Sequence, residues 1–304
     1  MKHGILPVWK ERGMTSHDVV FKLRKILKMK KIGHTGTLDP EVEGVLPICL
    51  GDATRIASLI TDTGKEYVAT VTIGWSTETE DQTGAVVERD DSYKQLTREQ
   101  IENALTQLTG EIEQTPPMYS AVKVNGKRLY EYAREGKVIE RPSRIVQIDA
   151  IELLDDAVQF EGEAIEFSIH VSCGKGTYIR TLAVQIGELL GYPAHMSRLE
   201  RTMSGGFRTE QCVTLGDLQQ AVDEENEAQF IRPLEEALAQ FPQVEIERAM
   251  LPLIENGQVL PQLDLLMNEP YVVCMHEEKA LAIYMQHPTK EGLMKPFKMF
   301  PFNR

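Results

Sequence analysis

The run Gly33-His-Thr-Gly36-Thr-Leu-Asp39-Pro40 gathers one carboxylate, one imidazole and two hydroxyls between glycines and a proline. As an anion, Asp39 can attack an electrophilic carbon or take up a proton, and loops held between regular elements often present such groups. The same Asp-Pro pair also suits a plain turn in which the carboxylate caps the segment that follows. The two glycines do not make a phosphate cradle, because neither G-x-x-x-x-G-K-[ST] nor G-x-G-x-x-G occurs in this run. A second cluster, Gly174-Lys-Gly176-Thr-Tyr178-Ile-Arg180-Thr181, joins a strand to a helix and can deliver Arg180 to the floor of a cleft. Alternatively, Arg180 is a surface residue of a first helical turn, where the macrodipole mildly disfavours its charge. A third, from Pro116 to Arg134, interleaves Tyr119, Tyr130 and Tyr132 with Lys123, Lys127, Arg128 and Arg134. Stacking with phosphate neutralisation is the chemistry of RNA binding, although Leu129, Tyr130 and Ala133 equally fit an ordinary helical stripe.

The elements that must position these residues are legible from spacing. Thr15 and Asp18 form a capping box ahead of Val19, Val20, Leu23, Ile26 and Leu27, which predicts an amphipathic basic helix. The glycines and proline of 33–40 predict a loop throughout. Glu66 to Gly74 and Ala164 to Cys173 alternate as strands, the second with Ile165, Phe167, Ile169, Val171 and Cys173 facing inward. Helices are expected at 97–108, capped by Thr97 with Gln100, and at 179–190, stopped by Gly191. Strands and helices do not alternate as β-α-β units, so the fold class is α+β with a largely antiparallel sheet. An acidic helical stretch is expected from Asp217 to Gln240. A boundary near 240 divides the chain into 1–240 and a small β-rich 241–304, where Tyr271–Met275 and Ala280–Tyr284 read as a hairpin.

Composition narrows the function classes. With 304 residues, 42% hydrophobic and 26% charged, the chain can bury one sizeable core or two smaller ones, which excludes disorder and fibres. No apolar run approaches the roughly 18–20 residues of a membrane helix, and the N-terminal apolar run is too short for a signal peptide, so the expected location is the cytoplasm. Cys49, Cys173, Cys212 and Cys274 lack the spacing of a zinc site or a disulfide framework and read as reduced core residues. The net charge of -13 argues against a polyanionic partner, but the charge is segregated. Residues 1–31 carry nine Lys/Arg against two acids, 118–146 seven against three, and 172–208 five against two. Solvated helix faces could account for this, as could an RNA face on an otherwise acidic protein.

Taken in order, the clusters resemble the TruB family, the bacterial tRNA pseudouridine-55 synthases. The matching stretches are G-M-T-S-H-D at 13–18, G-H-T-G-T-L-D-P at 33–40, K-E-Y at 65–67, P-P-M-Y-S-A-V-K-V-N-G-K-R-L-Y at 116–130, G-K-G-T-Y-I-R-T at 174–181 and H-M-S-R-L-E-R-T at 195–202. Lys10-Glu11-Arg12-Gly13 departs from the Lys-Pro-x-Gly common in the family. The resemblance implies a pseudouridine synthase fold, a mixed and mainly antiparallel sheet with flanking helices and a central cleft, followed by a PUA-like or family-specific RNA-binding module. It also implies isomerisation of the T-loop uridine of tRNA without cofactor or metal, by a monomer.

Carried over residue by residue, the resemblance implies Asp39 as the catalytic carboxylate and Arg180 as its partner in a buried charged pair. It implies Tyr67 as the residue that stacks on the target base and assists proton transfer, His34 as an aid to extruding the nucleotide, and Tyr178 and Leu199 as walls of the base pocket. A uridine inside a folded loop hides its reacting carbons and must leave its stack, at a cost of a few kcal/mol. A tRNA-folding chaperone using the same groove is a compatible additional activity. A glycosidase would want two facing carboxylates, whereas the motifs offer one aspartate with an arginine.

Overall fold

The computed structural model describes residues 2–301. One mixed sheet runs in the order Gly4–Lys10, Glu43–Leu50, Ala194–Ser204, Lys65–Ile73, Ile165–Cys173, Arg144–Leu153, Gly110–Gln114, with the short strands Ile32–His34 and Phe207–Arg208 paired beside it. Along this path every pairing is antiparallel except that of Ala194–Ser204 with Glu43–Leu50, where Glu200 lies opposite Glu43 and Arg201 opposite Gly44. The largely antiparallel sheet is the one read from the element order, and its mixed character with flanking helices is what the family resemblance implies.

Alternation translates directly into burial. Ile165, Phe167, Ile169, Val171 and Cys173 are buried, whereas the residues between them are exposed or partly covered. The Thr15–Asp18 and Thr97–Gln100 capping boxes start helices Ser16–Ile26 and Arg98–Gln107, each cap contributing about 1 kcal/mol. Helix Ile179–Leu190 ends at Gly191, whose φ of 82° is the left-handed cap conformation. The last two helices cover one sheet face, with Ile101, Leu105, Leu182 and Ile186 in one core with Val71, Phe167 and Ile169. Each such side chain contributes roughly 1.5–3 kcal/mol on burial.

The apolar run Val45 to Leu50 is unbroken because its strand is covered on both faces. Leu46, Ile48 and Leu50 pack against helix Ser16–Ile26, while Val45 and Cys49 join a core shared with Val273 and Ile283 near the C-terminus. Those last residues belong to a five-stranded sheet ordered Gln243–Glu245, Val272–His276, Lys279–Gln286, Leu293–Met299, Leu260–Pro261, which contains the expected hairpin. The shared core seats this sheet on the main one.

Three expectations change in detail. Gly33 and His34 are not loop residues: they pair with Cys49 and Ile48 in the short strand, and the irregular turn begins at Thr35. The acidic segment 217–240 is not one helical stretch but helix Leu215–Asp223, a 3-10 turn and helix Leu234–Leu238. Consecutive acids at 223–225 sit at a helix C-terminus, where negative charge is disfavoured, Glu225 turns left-handed at φ 58°, and Pro233 supplies no N–H. Cys49, Cys173 and Cys274 are buried free thiols, but Cys212 is only partly covered. Among the described residues no helix is long and apolar enough to cross a membrane.

Candidate active site

Side chains from three separate elements fix the loop that carries Asp39. Ser16 Oγ accepts the Leu38 N–H at 2.8 Å, at the start of the first helix. Lys10 Nζ, at the end of the first strand, donates to the Pro40 and Val42 carbonyls at 3.2 and 2.6 Å. Arg201 Nη2 donates to the Gly36 carbonyl at 3.3 Å. The Lys10–Gly13 turn docks here too, its Gly13 N–H reaching the Pro40 carbonyl at 2.9 Å. Burial pushes the Lys10 ammonium down to about 8, against the opposing pull of Asp39 and Glu41.

Arg180 stands in the first turn of helix Ile179–Leu190, and it is buried rather than a surface residue. Its Nη1 donates to the Thr79 carbonyl at 2.9 Å and its Nη2 to the Tyr119 carbonyl at 3.0 Å. With both ends of the fork held, Nη2 lies 3.2 Å from Asp39 Oδ2. The expected pair is therefore present but only half buried: the arginine side chain is 6% exposed and the aspartate 44%. The carboxylate sits at the mouth of the cleft, where a large substrate can reach it.

Behind the pair lies a cavity of about 310 Å³ whose lining includes Asp39, Tyr67, Tyr178, Arg180, Leu199 and Arg201. Five of the six residues expected at the site thus meet in one place. Antiparallel register explains part of it: Tyr67 lies opposite Arg201 and Ala69 opposite Leu199, so these side chains share one sheet face. Tyr67 is buried, which pushes its phenol up, while Arg201 acts against that shift. Tyr178 is locked through its backbone, its N–H donating to Gln114 Oε1 at 3.0 Å, and its ring lies 5.1 Å from the Arg144 guanidinium. His34 is the exception. It is outside the lining, its Nδ1 accepts the Gly36 N–H at 3.4 Å, and burial with the nearby Arg201 and His17 charges lowers its pKa.

The walls carry Lys65, Arg144, Lys175, Arg180 and Arg201 against the single carboxylate of Asp39, a charge balance suited to a polyanion. The Pro116–Arg134 cluster supplies the Tyr119 carbonyl to Arg180 and forms a tight hairpin at Asn125 and Gly126. Beyond the hairpin, Tyr130 lies 5.8 and 5.2 Å from the Arg128 and Arg134 guanidinium carbons. The helical-stripe reading holds here, since Leu129–Arg134 is a short helix with Leu129 buried.

Sequence reasoning missed Asp81, whose Oδ2 lies 3.8 Å from Arg180 Nη1 on the side away from Asp39's contact. Asp81 Oδ1 accepts from Thr79 Oγ1, Thr83 N and Thr83 Oγ1, an arrangement written in the Thr79-x-Asp81-x-Thr83 spacing. Arg201 was missed although it falls in a quoted motif; its period-2 relation to Leu199 was the available signal. Gln114 and Arg144 carried none.

Comparison with known proteins covers both the cavity and the rest of the chain. Residues 24–179 match the family model "TruB family pseudouridylate synthase (N terminal domain)", and 180–239 match "tRNA pseudouridylate synthase B C-terminal domain". The chain is 54% identical over 299 residues to tRNA pseudouridine synthase B of Listeria innocua serovar 6a, covering 98% of each chain. It is 52% identical over 303 residues to that of Bacillus pumilus, again covering 98% of each. Among solved structures, a Cbf5-Nop10-Gar1 complex contains a chain of TM-score 0.75 and 29% identity, with 98% of this chain and 85% of that one covered. An H/ACA RNP bound to a substrate RNA containing 2'-deoxyuridine gives TM-score 0.73 at 26% identity, with 98% and 85% covered.

Proposed function

The chain belongs to the TruB family of pseudouridylate synthases, isomerases that act on tRNA, and from that premise we propose that it converts the T-loop uridine at position 55 of tRNA to pseudouridine with Asp39 as the essential group. In this reaction the C1'–N1 bond breaks, C1' bonds to C5, the C5 hydrogen leaves as a proton and N1 takes one up, so nothing is added or lost. The observation that carries the reading is the Asp39 carboxylate, held 3.2 Å from Arg180 at the mouth of a cavity that also contains Tyr67.

Each residue has a part that its surroundings support. Arg180 fixes Asp39 and keeps a cation beside the anion the chemistry needs. Tyr67 offers a buried aromatic face to an extruded base, with Tyr178 and Leu199 forming the facing walls. His34, set back behind Gly36, acts on the RNA from outside the cavity. The basic segments 1–31 and 118–146 bind the phosphates of the T-arm. Binding and unstacking precede chemistry, so any tRNA-refolding activity should survive loss of Asp39.

The test is nucleoside analysis of an unmodified tRNA transcript after incubation with the enzyme. One pseudouridine per transcript, absent when the T-loop uridine is replaced by cytidine, is the expected result. Pseudouridine formed elsewhere would refute the T-loop assignment.

A further inference from the structure

Arg201 is the largest fully buried side chain among the described residues, 1% exposed. Among the described residues no carboxylate lies within ion-pair distance of it, and burial lowers its pKa. Burying a guanidinium in this way is unfavourable unless its donors are used. Two of them are: Nε donates to the Val45 carbonyl at 2.8 Å and Nη2 to the Gly36 carbonyl at 3.3 Å, while Tyr67 stands directly across the strand pair and lines the same cavity. Its backbone is equally constrained. Gly44 lies opposite with φ 124°, and a Cβ there would stand 2.3 Å from the Arg201 carbonyl oxygen.

We propose that Arg201 is a positioning residue for the isomerisation, one rigid fork that ties the Gly36 end of the Asp39 loop to the strand pair carrying Tyr67 and keeps its charge beside that tyrosine. This inference rests on the function proposed above. A stem that only filled space would need neither charge nor donors. A lysine keeps the charge but cannot serve both carbonyls from one planar group. Among the charged and titratable groups that share the cavity with Tyr67 or act on it, including Lys65, Cys173, Arg180, Arg201 and Asp39, Arg201 exerts the largest opposing effect on its raised phenol. With the arginine removed, ionisation of Tyr67 becomes harder and any alkaline limb it causes moves to higher pH.

The experiment is the pH dependence of single-turnover isomerisation of a T-arm RNA for wild type, Arg201→Met and Arg201→Lys, with thermal melts and RNA affinities alongside. Arg201→Met should lose roughly 100-fold in rate with RNA affinity within about threefold, and its alkaline limb should move upward. Arg201→Lys should lose about tenfold and keep the wild-type limb. A Met variant whose profile only scales the wild-type curve, or a Lys variant within about twofold of wild type, overturns the inference. If the Met variant does not fold, the Lys variant decides by the same criterion. Wild-type turnover is the internal reference: an inert wild type refutes the proposed function and this inference with it.

Discussion

Arg180 and Asp39 meet at 3.2 Å across the border between interior and solvent, with the arginine side chain 6% exposed and the aspartate 44%. The cation is placed by the fold, through the Thr79 and Tyr119 carbonyls, and the anion is left open to solvent. The asymmetry matters because a fully buried carboxylate would be out of reach of a nucleotide in a large RNA.

Arg180→Met should therefore damage both chemistry and stability. The Thr79 and Tyr119 carbonyls lose their donors, which should cost about 2 kcal/mol in urea unfolding. The single-turnover rate should fall about 100-fold or more, beyond any loss of folded enzyme. Arg180→Lys keeps a charge but lacks the fork, and should recover only part of the rate. Equal rates for wild type and Arg180→Met would remove the pair from the mechanism.

Much of this site was legible in the sequence, and physical reasons separate what was from what was not. Strands and helices with clean periodicity, such as Ile165–Cys173 and Ile179–Leu190, were placed within a residue or so, because one covered face dictates their pattern. The Asp39 loop and the Arg180 junction were visible as motifs. What failed depended on tertiary partners. Gly33 and His34 become a strand only because Glu43–Leu50 offers an edge to pair with. The half-burial of the Asp39–Arg180 pair and the approach of Asp81 follow from how loop 78–84 folds back, its Gln82 N–H reaching the Met196 carbonyl at 3.1 Å, which local spacing does not encode.

Lys65 provides a pH signature. Its ammonium donates to the Thr61 and Thr63 carbonyls, yet burial, with Arg201 adding to the effect, pushes its pKa from 10.5 down to about 8. Between those values the unfolded chain holds the proton and the folded chain releases it, so this group raises stability as pH rises through that window. The stability of wild type relative to Lys65→Met should increase by on the order of 2 kcal/mol from pH 7.5 to 10. Parallel unfolding curves for the two proteins across that range would show that Lys65 is not perturbed.

The basic cavity walls and the Lys/Arg-rich segments predict strong salt dependence of RNA binding despite the net charge of -13. If six or so phosphates are neutralised, affinity for a T-arm stem-loop should fall roughly 1,000-fold between 50 and 200 mM salt. Fluorescence anisotropy over that range measures the slope. A flat response would mean that segments 1–31 and 118–146 do not share an RNA face.

The central claim is that Asp39 performs the isomerisation of a T-loop uridine, and its most direct measurement is tritium release from a T-arm stem-loop labelled at C5 of its uridines. Wild type should release tritium while Asp39→Asn binds the RNA with near-normal affinity and releases none. Release by Asp39→Asn at the wild-type rate would contradict the account.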